Sequence, residues 1–285
     1  MKYTKINHEN IGRLNCGFTL IELLVVIAIT VLLMSILLPA LAKAQKMTRK
    51  TVCLSNIRHL AVANHLYSSD NDEFFVLAAE GLWAPNLKRW HGQRNSVSKP
   101  FDPKLSPMIS QMGSAGLKQC PCFIAGINFS DEAGQDAGFE AGCGGYGYNS
   151  SYIGGRNDLY GCSPTATLHS ARVSDVANSG ETTMFTDAAY VSTVDDRRVK
   201  IAYSFCEPPF WQLNMGPPSN LRPDPTIDFR HMGQCNVAWV DGHAKSLSMS
   251  FTYSYKTHSV ITGEEAAKEG VGWFGPDSNE WFDLN

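Results

Sequence analysis

Glu22 makes the sharpest demand on its surroundings. It stands four residues into an apolar stretch that starts at Phe18, and Leu23 to Ala42 then add 20 residues without a charge. At about 1.5 Å per residue such a helix covers about 30 Å, the thickness of a bilayer's hydrocarbon core. A carboxylate at that depth costs a few kcal/mol to insert and calls for a cationic partner, unless it snorkels to the headgroups as a plain interfacial acid. The second available chemistry is that of thiols. Of eight cysteines, Cys16 precedes the apolar run, while Cys53, Cys120, Cys122, Cys143, Cys162, Cys206 and Cys235 follow it. In an oxidising compartment those seven allow up to three disulfides and one free thiol, and a bridge from Cys53 to a loop cysteine such as Cys120 is one pairing. Cys120-Pro121-Cys122 lacks the Cys-x2-Cys spacing of a zinc knuckle and no second close Cys or His pair follows it, so no metal is expected.

Histidines are available for acid–base work at His91, His169, His231, His243 and His258, but no Gly-x-Ser-x-Gly, His-Glu-x-x-His or Gly-x-x-x-x-Gly-Lys pattern accompanies them. The chain is therefore read as no enzyme, with no catalytic residue and no cofactor. The Gly-rich run from Ala141 to Asn149 has no Gly-Lys-Ser/Thr and reads as a tight aromatic-bearing loop rather than a phosphate cradle. Asp70 and Asp72 are a conceivable calcium pair, yet the glycine and distal glutamate of an EF-hand are missing. His231 and Asp241 are separated by nine residues, with Gly242 next. Asp241-Gly242, between two strand-like runs, is a preferred pair for a two-residue type I′ turn. Met232-Gly233-Gln234 makes an earlier reversal, so His231 and Asp241 fall at opposite ends of one strand, roughly 20 Å apart at about 3.3 Å per residue. They are read as structural turn residues, with Val237 and Trp239 on the strand face that packs on the first helix.

These groups must be positioned by a small set of elements. The 285 residues are 44% hydrophobic and 18% charged, enough apolar material for a sizeable core but for only one membrane span. A net charge of −3 offers no basic field for nucleic acid, which is excluded as a partner. A cleaved secretory signal fits poorly, because the apolar run is long and Ala40-Leu41-Ala42 leads straight into a continuing helical pattern. Three cations precede the span (Lys2, Lys5, Arg13) and four follow it (Lys43, Lys46, Arg49, Lys50), so charge bias does not orient it. Past Lys43, Cys53, Ile57, Leu60, Ala61, Asn64 and Tyr67 recur at spacings of three and four, which predicts a single amphipathic continuation ending at Ser68 to Asp72. The remainder, dense in Gly, Pro, Ser and Asn, predicts short strands at Phe74–Ala78, Thr182–Thr186, Val199–Phe205, Cys235–Val240 and His243–Ser248. The fold class is α+β: a long N-terminal helix, half of it transmembrane, packed on an antiparallel-sheet ectodomain.

Gly17-Phe18-Thr19-Leu20-Ile21-Glu22-Leu23-Leu24-Val25-Val26-Ile27 resembles the class III signal of type IV prepilins and type II secretion pseudopilins. The resemblance implies cleavage between Gly17 and Phe18 by a prepilin peptidase, methylation of the new Phe18 amine, and assembly roles for Glu22 and for Pro39, the helix-kinking proline. It divides the chain into a leader (1–17), a long helix (18–68, transmembrane about 18–42) and a periplasmic or extracellular pilin-like domain (69–285). It further implies storage in the inner membrane as a single-pass protein, contact with inner-membrane lipid and an assembly platform, and polymerisation with other pilin or pseudopilin subunits. The His231-to-Gly242 signature, Cys53-Leu54-Ser55-Asn56-Ile57, Cys120-Pro121, Tyr146 to Asn149 and Met184 to Ala188 resemble a planctomycete- and lentisphaere-type pilin-like family. The competing expectation is a singly anchored periplasmic enzyme or glycan-binding module on a pilin-type anchor.

Overall fold

The structure, a computed structural model, describes residues 19–113, 116–123, 142–194, 197–254 and 261–285. Gly17 and Phe18 lie outside the described residues. Helix α1 runs from Leu20 to Asp70, 51 residues with Pro39 inside it. Its start is a capping box: the Thr19 hydroxyl accepts the Glu22 N–H at 3.2 Å, and the Glu22 carboxylate takes the Thr19 N–H at 2.8 Å. Contacts divide the chain into two compact units after Gln45. In the first, every described residue is exposed. Thr30 and Ser35 return their hydroxyls to the carbonyls of Ile27 and Leu32 at 2.9 and 2.7 Å, so two polar groups on an apolar rod are satisfied within the helix. Among the described residues this is the one helix long and apolar enough to cross a membrane.

In the second part α1 buries a stripe of Cys53, Asn56, Ile57, Leu60, Ala61, Asn64 and Ser68, the spacing that keeps one helix face inward. The helix ends where Asp72 and Glu73 adopt positive φ (50° and 66°), with the Glu73 N–H returning to Ser68 O at 2.9 Å. The strands are β1 Lys88–Arg89, β2 Gly92–Gln93, β3 Tyr146–Tyr148, β4 Thr183–Asp187, β5 Tyr190–Val194, β6 Arg197–Ile201, β7 Ile227–Asp228, β8 Gln234–Trp239, β9 Ala244–Ser248 and β10 Val271–Gly272. The short helices α2 Ile109–Met112, α3 Asn157–Tyr160 and α4 Gly263–Lys268 lie between them or near the end. β3, β4, β8 and β9 form one antiparallel sheet in that order; β1–β2, β5–β6 and β7–β10 are antiparallel pairs. The α+β layout with a long apolar N-terminal helix is thus as the sequence predicts.

Four expectations need correction. Phe74–Ala78 is not a strand, because its backbone groups go to loops and to α1: Phe75 N–H to Ala171 O, Ala78 N–H to Gly154 O, and Val76 N–H to the Asn64 side chain. Val199–Phe205 is divided, since β6 stops at Ile201 while Phe205 bridges Tyr148. The Gly-rich run is no mere loop, for Tyr146–Tyr148 is an edge strand of the main sheet. A side chain at Gly147 would stand 2.6 Å from the Phe205 carbonyl, so only glycine lets the two backbones meet. Val237 and Trp239 do not face α1. Tyr146 pairs with Asp187 and Tyr148 with Phe185, and both tyrosine hydroxyls take hydrogen bonds from α1, from Asn56 at 3.2 Å and Asn64 at 3.0 Å. The helix-facing side of the sheet therefore carries Phe185 and Asp187, with Ala238 and Asn236 next to them on β8, whereas Val237 pairs with Thr186 on the other side.

The turn chemistry is also displaced. His231 and Gln234 exchange both backbone hydrogen bonds (2.9 and 3.2 Å) around Met232 and Gly233, each at positive φ (56° and 80°), so the type I′ turn is here. After β8 the chain reverses through Val240-Asp241-Gly242, with Gly242 N–H on Trp239 O and Trp239 N–H on His243 O. Gly242 alone has positive φ there, +85°, the signature of a three-residue loop closed by a left-handed glycine.

Candidate functional site

Two groups of residues bear on function, one on each part of the chain. On the N-terminal part, Glu22 is the acid of interest. Its Oε2 accepts both the Thr19 N–H and the Thr19 hydroxyl, the latter at 2.7 Å. The carboxylate therefore caps its own helix, an arrangement that the Thr19-x-x-Glu22 spacing announces. A carboxylate has further lone pairs, so this cap leaves it able to accept from a neighbouring ammonium as well. Pro39 lies within α1, and its missing N–H removes one hydrogen bond to Ser35.

The second group is buried beneath α1. The Cys53 and Cys120 sulfurs are 2.6 Å apart, and His231 Nε2 lies 3.7 Å from Cys120 Sγ and 3.1 Å from Asp187 Oδ2. All four residues are buried. Four separate elements assemble them: α1 supplies Cys53, the segment after α2 supplies Cys120, the turn between β7 and β8 supplies His231, and the end of β4 supplies Asp187. Asp187 Oδ2 also accepts the Asn236 N–H at 2.6 Å, which fixes its position against β8. Arg230 adds a cation, seated on Asp228 at 2.9 Å and over the Phe123 ring.

The electrostatics follow. Burial lowers the His231 imidazole, but the hydrogen bonds to Asp187 and Cys120 outweigh it and hold the group at about 10, hence protonated. The hydrogen bond from Cys53 lowers the Cys120 thiol to about 5 against the opposing effect of burial, with His231 and Arg230 helping; the Cys53 thiol is pushed up correspondingly. These shifts favour an imidazolium at His231 facing a thiolate at Cys120. Tyr146, beside it, is pushed up by burial. Donor atoms of Cys53, Cys120 and His231 lie within 4.8 Å of one another, close enough to be considered as ligands to one ion.

The other expected residues are dispersed. No disulfide joins the described cysteines; Cys143, Cys206 and Cys235 are buried and Cys122 and Cys162 half-buried. His231 and Asp241 have different partners: His231 turns inward to Asp187, while the exposed Asp241 accepts the His243 N–H at 2.9 Å and meets its Nδ1 at 2.6 Å. Asp70 accepts from Gln111 at 3.0 Å. The sequence reading missed Asp187 as a member of the thiol cluster. Its one available signal was an acid ending an otherwise uncharged strand, Thr183-Met184-Phe185-Thr186-Asp187, where burial demands a partner.

Comparison with known proteins bears on the N-terminal part. Residues 12–38 match the family model for the prokaryotic N-terminal methylation motif. Over 84 residues the chain is 33% identical to the type IV major pilin protein PilA of Myxococcus xanthus (strain DK1622), a match covering 30% of this chain and 38% of that pilin. The chain spans well under half the length of that curated relative. No solved structure matches. The chain thus carries a prepilin-type methylation motif at the head of a 51-residue apolar helix, in a pilin-like α+β layout.

Proposed function

We propose that this protein is a pilin-like structural subunit. The observation that carries the reading is the coincidence of the methylation motif at residues 12–38 with a helix whose apolar residues are exposed from Leu20 to Leu41. A surface of that kind is stable only in lipid or against other helices. A prepilin peptidase removes residues 1–17, Phe18 becomes the methylated N-terminus, and the single-pass subunit waits in the inner membrane with residues 69–285 in the periplasm. An assembly platform then draws it into a pseudopilus of a type II secretion system or a type IV pilus-like filament. There the Glu22 carboxylate accepts from the Phe18 ammonium of a neighbour, a charge-assisted pair in a low-dielectric setting. The role is structural, with no reaction catalysed.

A tagged Glu22→Leu variant tests this. It should insert in the membrane at least as well as the parent, since a costly carboxylate is gone, and should be missing from sheared filaments. Normal incorporation would remove the assembly role given to Glu22, and absence of the parent itself from the filaments would favour the alternative, a singly anchored enzyme or glycan-binding module. One feature favours that alternative. An open cavity of about 160 Å³ is lined by Trp83, Ser151, Asn157, Tyr203, Glu207 and Trp211. Burial raises the Glu207 carboxyl to about 7, with the Tyr203 hydroxyl donating to it at 3.0 Å. Aromatic walls with hydroxyl, amide and carboxyl groups are the makings of a polar-ligand site.

A further inference from the structure

We propose that Cys53 and Cys120 form an oxidisable pair, closing a disulfide between α1 and the segment after α2, and that His231 seated on Asp187 makes this bond easily reducible. The proposal stands apart from filament assembly and needs only a compartment that oxidises thiols.

The geometry favours a disulfide over a metal. Two thiolates on a tetrahedral zinc, at about 2.3 Å from the ion, must stand about 3.8 Å apart. A covalent S–S bond is about 2.05 Å. The observed 2.6 Å lies about half an ångström from the second value and more than an ångström from the first. Chain direction also suits a staple: Cys53 belongs to the inward stripe of α1, and Cys120 is held by its N–H on Gly144 O at 2.9 Å next to β3.

The oxidant is an external disulfide, small-molecule or protein. The Cys120 thiolate attacks one of its sulfurs, the external S–S bond breaks, and one external thiolate leaves, giving a mixed disulfide. Cys53 loses its proton and attacks the Cys120 sulfur; the mixed bond breaks and the second external thiolate leaves. Cys53 and Cys120 each give up one electron, Cys53 gives up the one proton the pair holds, and a second proton is taken from solvent as the external disulfide becomes two thiols. Both sulfurs are buried, so exchange proceeds while the cluster is open.

His231 tips the balance further than the hydrogen bond from Cys53 does alone. The groups facing Cys120 are Cys53 on α1, Tyr146 on β3, Asp187 on β4 and the cations Arg230 and His231. An imidazolium 3.7 Å from the sulfur stabilises a thiolate, which exists only in the reduced protein. The disulfide has no charge for it to meet. The reduced form is therefore favoured and the bond is a strong oxidant for its kind.

The full-length chain in detergent is equilibrated with glutathione buffers of graded ratio at pH 7, acid-quenched, alkylated and peptide-mapped, with metal content measured on the same sample. A linked Cys53–Cys120 peptide is expected under oxidising ratios. His231→Gln should make it at least tenfold harder to reduce, about 30 mV in midpoint. Both thiols remaining free in excess oxidised glutathione, stoichiometric zinc on the reduced chain, or an unchanged midpoint in His231→Gln would each overturn the proposal. Should that variant fail to fold, the parent carries the test. With Cys120 already ionised, reduction by glutathione releases one proton, so its equilibrium constant rises about tenfold from pH 6 to 7. A constant that does not move would mean two protonated thiols and would overturn the role given to His231.

Discussion

The two halves of α1 are one helix and both carry Leu, Ile, Val and Ala, yet they answer to different solvents. Up to Gln45 each described residue is exposed, including Leu24, Ile27, Leu33 and Leu37. Beyond it Ile57, Leu60, Ala61 and Asn64 are buried, and even polar residues there have inward tasks: Asn64 donates to Tyr148 and accepts from Val76. Apolarity alone does not assign a helix to a core. The first half is apolar all round, as a span requires; the second half is apolar on one stripe and keyed by amides and a thiol to one particular sheet.

That contrast is sharpest under substitution. Removing the staple is expected to have the largest effect: Cys53→Ala, compared with the oxidised parent in urea unfolding of the domain signal, should lose up to about 4 kcal/mol, the chain-entropy value for a loop of this length, less what His231 gives the thiolate form. Ile57→Ala should cost about 3 kcal/mol through cavity formation, whereas Leu33→Ala, the same kind of truncation on the exposed half, should leave domain unfolding within about 0.5 kcal/mol. Equal costs would abolish the distinction between the halves.

The reduced protein should show a pH window of its own. His231 is raised from 6.5 to about 10 and Cys120 lowered from 9.0 to about 5. Between 5 and 6.5 the unfolded chain holds two protons on this pair and the folded chain one, so stability rises with pH. Between 9 and 10 the unfolded chain holds none and the folded chain one, so stability falls. The contribution is complete from about 6.5 to 9. It is lost by about 2 kcal/mol on acidification to 5, and the acid-side loss disappears in Cys120→Ser. The smallest effect belongs to the β8–β9 turn. Gly242 has open space around its Cα but φ of +85°, so Gly242→Ala should cost about 1 kcal/mol of backbone strain in thermal unfolding. Asp241→Asn should cost less, because an amide oxygen still accepts from His243.

What was legible in the sequence follows the same division. The span, its acid and the amphipathic stripe were visible because helical periodicity is local and repeats every turn. The strands at Thr182–Thr186, Cys235–Val240 and His243–Ser248 were near their observed places for the same reason, each having a local alternation or apolar run. The Cys53–Cys120–His231–Asp187 cluster was not legible as a unit, since its members come from four elements far apart in the chain. Nor was the role of Tyr146-Gly147-Tyr148, where glycine signals a loop by propensity but serves a close backbone approach to Phe205. The sheet face meeting α1 was misjudged because Val237 and Trp239 are buried too, on the opposite side, and burial on both faces erases the alternation from which a facing side is read.

The central claim is that the first half of α1 is the stem of a prepilin-type subunit, and intact-mass analysis of the chain extracted from its native membrane tests it most directly. The account predicts loss of residues 1–17 and one added methyl group on Phe18, taking the net charge from −3 to −5 as Lys2, Lys5, Arg13 and Glu9 depart. A full-length, unmethylated chain in that membrane would contradict it.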